Sequence, residues 1–509
     1  MTTRGITFLD AGAPVATEPL RLDAALAVGL AAPRPGALPP DLVRHLAASG
    51  RGGVLRGENL IGIPLPIASW AGFCELFLPT RGIVGRDAGH TCVTPLAAAV
   101  RAFFAHGGRD LTVIALGAPP AAGADEATRI RALELVISGA THRWDAATDR
   151  GQLLNTWLPA VCGDVVDQAS WHGIAHLEGL PAPALVLLPD LPELTAAGMP
   201  PLEAMTIAGD PSVTICCAPA ASAQARPLVG APRHDEVGFT LWVRLVNHLA
   251  SWIALRHRTA QLVLAAPLAV SQLPARRDPL RYLAALGCDR RLDAGGLASA
   301  FVVLGGGWLS GALADDLPGG LLPADGALAG LLATNARGRG AWRSTTGMAL
   351  RASGVEPMDG LSVRNQLATR LCLVESTPGG LRLGSDVTTS DDPAWRPGMV
   401  CRLLALVLRT AQRTGEEMVF APSGEAAWRG LAQRLDDVLD LLARRGALAA
   451  GGGEDAYTVA CNRTTMTQAD IDGGRLIARI VVRPAVPVEA IDVLLASEGG
   501  ALAVVGGAT

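Results

Sequence analysis

Three groupings of side chains in this sequence have types and spacings that can carry chemistry. His172 and His176 stand four residues apart, which puts two imidazoles on one helical face for a divalent metal, with Cys162 nearby. No third and fourth ligand follows at a recognisable spacing, so the pair reads as ordinary core or surface histidines. His234-Asp235-Glu236 holds a base beside two carboxylates, but adjacent residues rarely face one reaction centre, and after Pro232 the run reads as a solvated polar loop. Gly305-Gly306-Gly307 follows an apolar run, as a phosphate-cradling loop does, yet lacks the dinucleotide spacing and its acidic partner. The GxSxG elbow that seats a serine nucleophile does not occur. The sequence therefore names no catalytic, cofactor-binding or metal-ligating residue.

Composition narrows the chemistry further. All 43 basic residues are arginine, so every mechanism that needs a lysine amine is excluded, from the phosphate-loop lysine to Schiff bases. A formal net charge of −4 gives no electrostatic footprint for nucleic acid and no polybasic membrane patch. The nine cysteines are scattered with no CxxC pair, which argues against a disulfide framework or structural zinc and fits a reducing compartment; vicinal Cys216-Cys217 lies in an apolar run and reads as packing. Met1 to Asp10 has no long apolar stretch, so no secretory signal is expected. Uncharged Gly295 to Ala314 reads as a buried strand, Ala300 to Leu304, entering a glycine loop rather than as a membrane span.

Of the 509 residues, 50% are hydrophobic and 18% charged, a balance that builds a core. Leu22 to Leu30 reads as a strand stopped by a Pro/Gly turn. Ser69 and Thr94 are N-cap candidates for helices over Ile67 to Phe77 and from Pro95 to His106, and Leu111 to Leu116 follows as a strand. Continuous apolar runs at Ala184 to Leu188, Val213 to Cys217, Gln261 to Leu264 and Ala300 to Leu304 predict strands buried on both faces, with a helix over Gly238 to His257 between them. Further on, Leu371 to Val374 and Met418 to Phe420 read as strands, and Gly398 to Arg413 and Ser423 to Arg445 as helices; Tyr457 to Ala460, Leu476 to Arg483 and Val488 to Leu495 complete the strands. The expected class is α/β, α+β overall: a middle domain with a mainly parallel sheet, a core formed by the N- and C-terminal parts, and extended arms at both ends. The expected boundaries are an arm over 1–21, an N-terminal core part over 22–117, a middle α/β domain over 118–345, a C-terminal domain over 346–485, and a terminal strand and arm over 486–509.

Several stretches then resemble, in order, the contractile tail sheath proteins of phages, R-type bacteriocins and contractile injection systems. Thr17 to Gly36 is similar to the family's strand-and-loop entry. Leu65-Pro66-Ile67-Ala68-Ser69-Trp70 with Phe73 and Leu76-Phe77 is similar to "I-T-S-W…F…L-F", and Ala98 to Arg109 to "A-V-R-x-F-F-x-N-G-G". Leu322 to Gly330 with Arg339-Gly340-Ala341-Trp342 resembles "P-P-S-G-x-V-A-G…R-G-V-W", Ser390 to Arg396 resembles "S-S-D-P-x-W-R", and Thr464 to Leu476 resembles "T…D-I-D-x-G-R-L". Together these cover about half of the chain. Two departures stand out: Gly5 to Asp10 replaces the family's "P-G-V-Y-V-E-E", and the chain continues past the usual end as Ser497 to Thr509.

The resemblance implies a non-enzymatic subunit of a helical sheath, built from stacked six-fold rings around an inner tube, assembled in the cytoplasm and then part of a phage tail or tail-like particle. Its middle region would have a subtilisin-like fold without a triad. Its partners would be copies of itself, the inner tube protein, and baseplate and terminal cap proteins, with no cofactor, nucleic acid or membrane insertion. The arms would carry Ile6 and Phe8 at one end and Val488, Ile491 and Val493 at the other into neighbouring sheets. Arg429, Arg434, Arg444 and Arg445 are the candidates for contact with the tube. Two alternatives stand beside this reading: a sheath-like cap or baseplate-proximal subunit, and a soluble α/β enzyme or ligand-binding protein.

Overall fold

The computed structural model describes residues 21–54, 56–85, 89–138, 149–180, 182–200, 229–270, 299–356, 369–418, 424–449, 455–473 and 475–485, and the main chain of 491–498 and 501–505. Eight strands form the central sheet: β1 (Ala24–Gly29), β2 (Leu65–Ile67), β3 (Asp110–Ala115), β4 (Leu185–Leu187), β5 (Gln261–Ala265), β6 (Val302–Gly306), β7 (Cys372–Thr377) and β8 (Gly380–Leu383). Their order is β8-β7-β6-β5-β4-β1-β3-β2, parallel from β7 to β3, with antiparallel β2 and β8 at the edges. The class is thus mixed α/β with a mostly parallel sheet, as the apolar runs predict. The expected strands over Val213 to Cys217 and Val419 to Phe420 lie outside the described residues, whereas Met418 belongs to the turn that ends a helix, not to a strand.

Alternation along each strand divides two cores. Ala25, Ala27, Val113, Leu185, Leu187, Val263 and Val303 face one layer. Leu26, Val28, Ile114, Val186, Leu262, Leu264 and Leu304 face the other. Helices α1 (Trp70–Leu76) and α2 (Pro95–Ala105) cover the first face, and α3 (Glu126–Ser138) and α4 (Glu236–Arg256) the second. Ser69 Oγ and Thr94 Oγ1 accept hydrogen bonds from Gly72 and Ala97 N–H, so both expected N-caps form. A fifth helix, α5 (Ala324–Gly338), lies against α2 at backbone distance: a Cβ on Gly326 would stand 2.4 Å from Ala99 O, and one on Gly330 2.6 Å from Phe103 O. Only glycine permits that approach.

A third core joins α6 (Gly398–Glu416) and α7 (Glu425–Arg444) to a smaller antiparallel sheet of β9 (Tyr457–Ala460), β10 (Leu476–Val482), β11 (Ile491–Glu498) and β12 (Ala501–Val505). Trp428, Leu431, Leu435, Leu439 and Leu442 form the apolar stripe of α7 and are buried among Leu403, Leu406, Ala478 and Ile480. The same core reaches Leu22 and Ala184, which lead into β1 and β4, so α6 is shared between the small sheet and the large one. Among the described residues, no helix is long and apolar enough to cross a membrane.

A buried guanidinium pins this junction. Arg402 of α6 pairs with Asp386 through Nη1 at 3.0 Å and Nη2 at 2.6 Å, and its Nε donates to Ala341 O at 3.1 Å. Asp386 also accepts the Thr345 N–H at 2.8 Å, and this neighbourhood holds its carboxyl below the usual range despite burial. Removing one member of such a pair strands the other in the core. Arg402→Ala is expected to cost about 3–5 kcal/mol in urea denaturation. A loss below about 1 kcal/mol would contradict this role.

Candidate functional site

The segments that carry the family resemblance converge on packing rather than on a reaction centre. Arg101 pairs with Asp316 at 2.6 and 2.7 Å, donates to Leu313 O, and stands 5.8 Å over the Trp70 ring. Trp70 stacks on Phe73, and Phe73 packs tilted against Phe77, with centroids 5.6 and 5.3 Å apart. Trp342 is buried beside Gly340, where a Cβ would meet its ring at 2.6 Å. Trp395 O accepts from Thr388 Oγ1, and Arg396 donates to Asp391 O, which closes the loop before α6. Thr467 and Asp470 form a capping box, and Arg475 pairs with Asp470 at 2.6 Å.

An α/β sheet of this kind has one favoured place for chemistry: the crevice at the carboxyl ends of strands where the winding reverses. Here that place lies between β1, whose sequence neighbours run to one side, and β4 on the other. It is filled. Asp190, after β4, accepts the Leu30 N–H at 2.8 Å, and a Cβ on Gly29 would stand 2.2 Å from its carboxylate. Arg81 and Glu193 form a buried bidentate pair alongside. Among the described residues six prolines, including Pro189, Pro192 and Pro232, line a cavity of about 20 Å³ there, room for one water.

The groups singled out for chemistry take other roles. The run His234-Asp235-Glu236 is not a solvated loop: His234 is fully buried in a two-residue strand, Arg233–His234, beside Thr195 Oγ1 at 2.9 Å. Burial lowers its pKa to about 3, so it stays neutral. Asp235 caps α4 and pairs with Arg150 at 2.7 Å. His176 is buried edge-on to Trp171, its pKa lowered to about 4 by desolvation, and among the described residues no cluster of metal-ligating side chains forms. Gly305 and Gly306 lie inside β6 against Ala324 and Leu373. Cys216, Cys217, Ile6, Phe8 and Val488 lie outside the described residues.

Ile491 and Val493 sit in β11, opposite Val482 and Ile480 of the chain's own β10. The four arginines flank the exposed side of α7 and its end. Arg434 pairs with Glu417 at 2.9 Å and Arg444 with Asp440 at 2.6 Å, while exposed Arg429 donates to Glu425 O and Arg445 caps the helix. The sequence reading missed Arg402 and Arg409, although a legible signal existed: the first two of the three arginines of α6 interrupt its apolar text, two turns apart on one face.

This fold, a wound α/β sheet with an appended helical and antiparallel layer, is similar over nearly its whole length to chains of contractile particles. A chain of the six-fold symmetrised anti-feeding prophage baseplate matches with TM-score 0.53 and 18% identity, covering 96% of this chain and 97% of that one. A chain of the same baseplate in its contracted state gives 0.54 at 18% identity over 96% and 97%. The contracted sheath complex of an extracellular contractile injection system, PVC, gives 0.51 at 15% identity over 95% and 94%. No family model and no curated protein sequence matches the chain.

Burial raises Asp190 from 3.8 to about 7. The folded state therefore holds its proton more tightly than the unfolded chain, and this residue's contribution to stability falls as pH rises from about 4 to 7. Asp190→Asn, which keeps an oxygen for Leu30 N–H, is expected to raise Tm at pH 8 by at least about 2 °C more than at pH 5. Equal shifts at both pH values would refute the assignment.

Proposed function

We propose that this chain is a structural, non-catalytic subunit of a contractile helical sheath, assembled with copies of itself around an inner tube. The observation that carries the reading is the likeness, over 95% of the chain or more, to chains of the PVC sheath complex and the anti-feeding prophage baseplate. The filled switch-point crevice weighs against an active site at that one place, because a pocket for a small molecule there needs several hundred Å³.

Assembly by strand exchange is supported by the small sheet. β11 and β12 are the last described elements and follow β10 in the chain. Replacing β11 by the same strand of a neighbour preserves every main-chain hydrogen bond, which is a domain swap repeated from copy to copy. Ile491 and Val493 would then lie against a neighbour's β10, and Ile6 and Phe8 of the other arm would extend an open edge. A heterologous contact of this kind does not close on itself, so it grows a filament. Contraction would be rigid-body rotation of subunits that remain tied, driven by free energy stored at assembly and needing no nucleotide. Arg429, Arg434, Arg444 and Arg445 would face acidic groups of the tube protein. Baseplate and cap proteins would close the ends of the particle.

A second reading, a cap or baseplate-proximal subunit, is favoured by β12. This strand covers the outer edge of β11 over Leu494 to Glu498. Electron microscopy of the chain co-expressed with its tube protein decides between the two. Long tubes support the sheath, single rings support the cap, and monomers that form neither tubes nor rings overturn both. Charge reversal at Arg444 and Arg445 is expected to abolish co-assembly with the tube while leaving Tm within about 2 °C; intact co-assembly would remove these residues from the contact.

A further inference from the structure

At the amino ends of the parallel strands, opposite the filled crevice, the chain encloses a cleft of about 630 Å³ between the last turns of α4 and α6. Five guanidiniums line it, those of Arg21, Arg256, Arg258, Arg409 and Arg413, against three carboxylates, those of Asp110, Glu178 and Glu416. Most of these charges are matched locally. Arg21 bonds Asp23 and Asp110, Arg256 bonds Glu178 at 2.6 Å, and Arg413 lies 3.9 Å from Glu417. Arg258 holds Ala254 O, a last-turn carbonyl of α4.

Arg409 differs. It stands two turns along α6 from Arg402, on the same face, but where Arg402 has Asp386, Arg409 meets only main-chain carbonyls: Arg21 O at 3.0 Å, Ala182 O at 2.9 Å and Pro183 O at 3.2 Å. Its Nε is buried without a partner, and among the described residues no carboxylate lies within ion-pair distance. Desolvation lowers its pKa to about 10, only partly offset by the nearby Asp23 carboxylate, which is itself bonded to Arg21. A buried cation whose nearest carboxylate is bonded to another arginine is costly, and this one borders a cavity large enough to admit a further negative charge.

We propose that this cleft is an oxyanion site in which a carboxylate or phosphate group neutralises Arg409, with Arg258 and Arg413 at its mouth. The ligand's chemistry is that of a planar or tetrahedral oxyanion held by guanidinium forks. Its source is either a free small anion or an acidic side chain offered by an adjoining copy. The site is independent of the sheath reading, because it rests on charges within one chain.

The test is thermal shift and calorimetry on the full chain with citrate, with inorganic phosphate and with a triglutamate peptide, each against NaCl at matched ionic strength. Saturable stabilisation by citrate or phosphate supports a free-anion site, and stabilisation by triglutamate alone supports an acidic segment as the ligand. Arg409→Gln is expected to lose the response. Because that change also loosens the strand ends, the variants Arg258→Gln and Arg413→Gln are read in parallel, each expected to weaken binding by about fivefold to tenfold with the fold kept. No shift beyond NaCl, or equal responses in all variants, would overturn the site and leave Arg409 as a clamp on strand ends alone.

Discussion

A guanidinium stays inside a hydrophobic core only when acceptors surround it, and Arg402 meets that condition with Asp386 and two main-chain carbonyls from 341 and 343. The pair itself need not add net stability, since desolvation offsets much of the attraction. What it supplies is uniqueness of position. With Arg402 seated, α6 has one register against the loops that follow α5 and β8, and everything built on α6 inherits that register. Two turns further along, Arg409 gathers the carbonyls that lead into β1 and β4, so one helix aligns the small antiparallel sheet with the large parallel one.

In the proposed sheath role that alignment would let the subunit move as a body: strain delivered at the terminal strands would turn the whole chain rather than peel one layer from another. The shared core around Leu22, Ala184 and α6, the glycine-mediated approach of α5 to α2, and the Arg101–Asp316 pair under Trp70 each join segments far apart in sequence. Two of the stretches that resemble sheath proteins, Ala98 to Arg109 and Leu322 to Gly330, lie at such joints.

Much of this was legible from local rules. Ser69 and Thr94 announced their helices because a cap depends on residues within one turn. The parallel strands announced themselves because a strand buried on both faces has no polar positions to disguise it. Strand order, and with it the neighbours of β1, was not legible, since pairing links residues such as Leu26 and Thr112 or Val186 that no local pattern connects. His234 was misread for the same reason: its burial depends on Thr195, and its own neighbours are polar. Arg402 and Arg409 were visible as interruptions in an apolar helix, but their different fates depend on whether an acid from elsewhere in the chain arrives opposite.

The claim on which the functional account rests is that copies are tied through their terminal strands and turn as rigid bodies between them. Cryo-electron microscopy of the assembled particle before and after contraction measures this directly. The account predicts that Ile491–Glu498 of one copy lies in the small sheet of a neighbour in both states, with the body from β1 to β10 superimposing between them. Particles in which every copy keeps its own terminal strands, or in which α6 shifts against the large sheet on contraction, would contradict it.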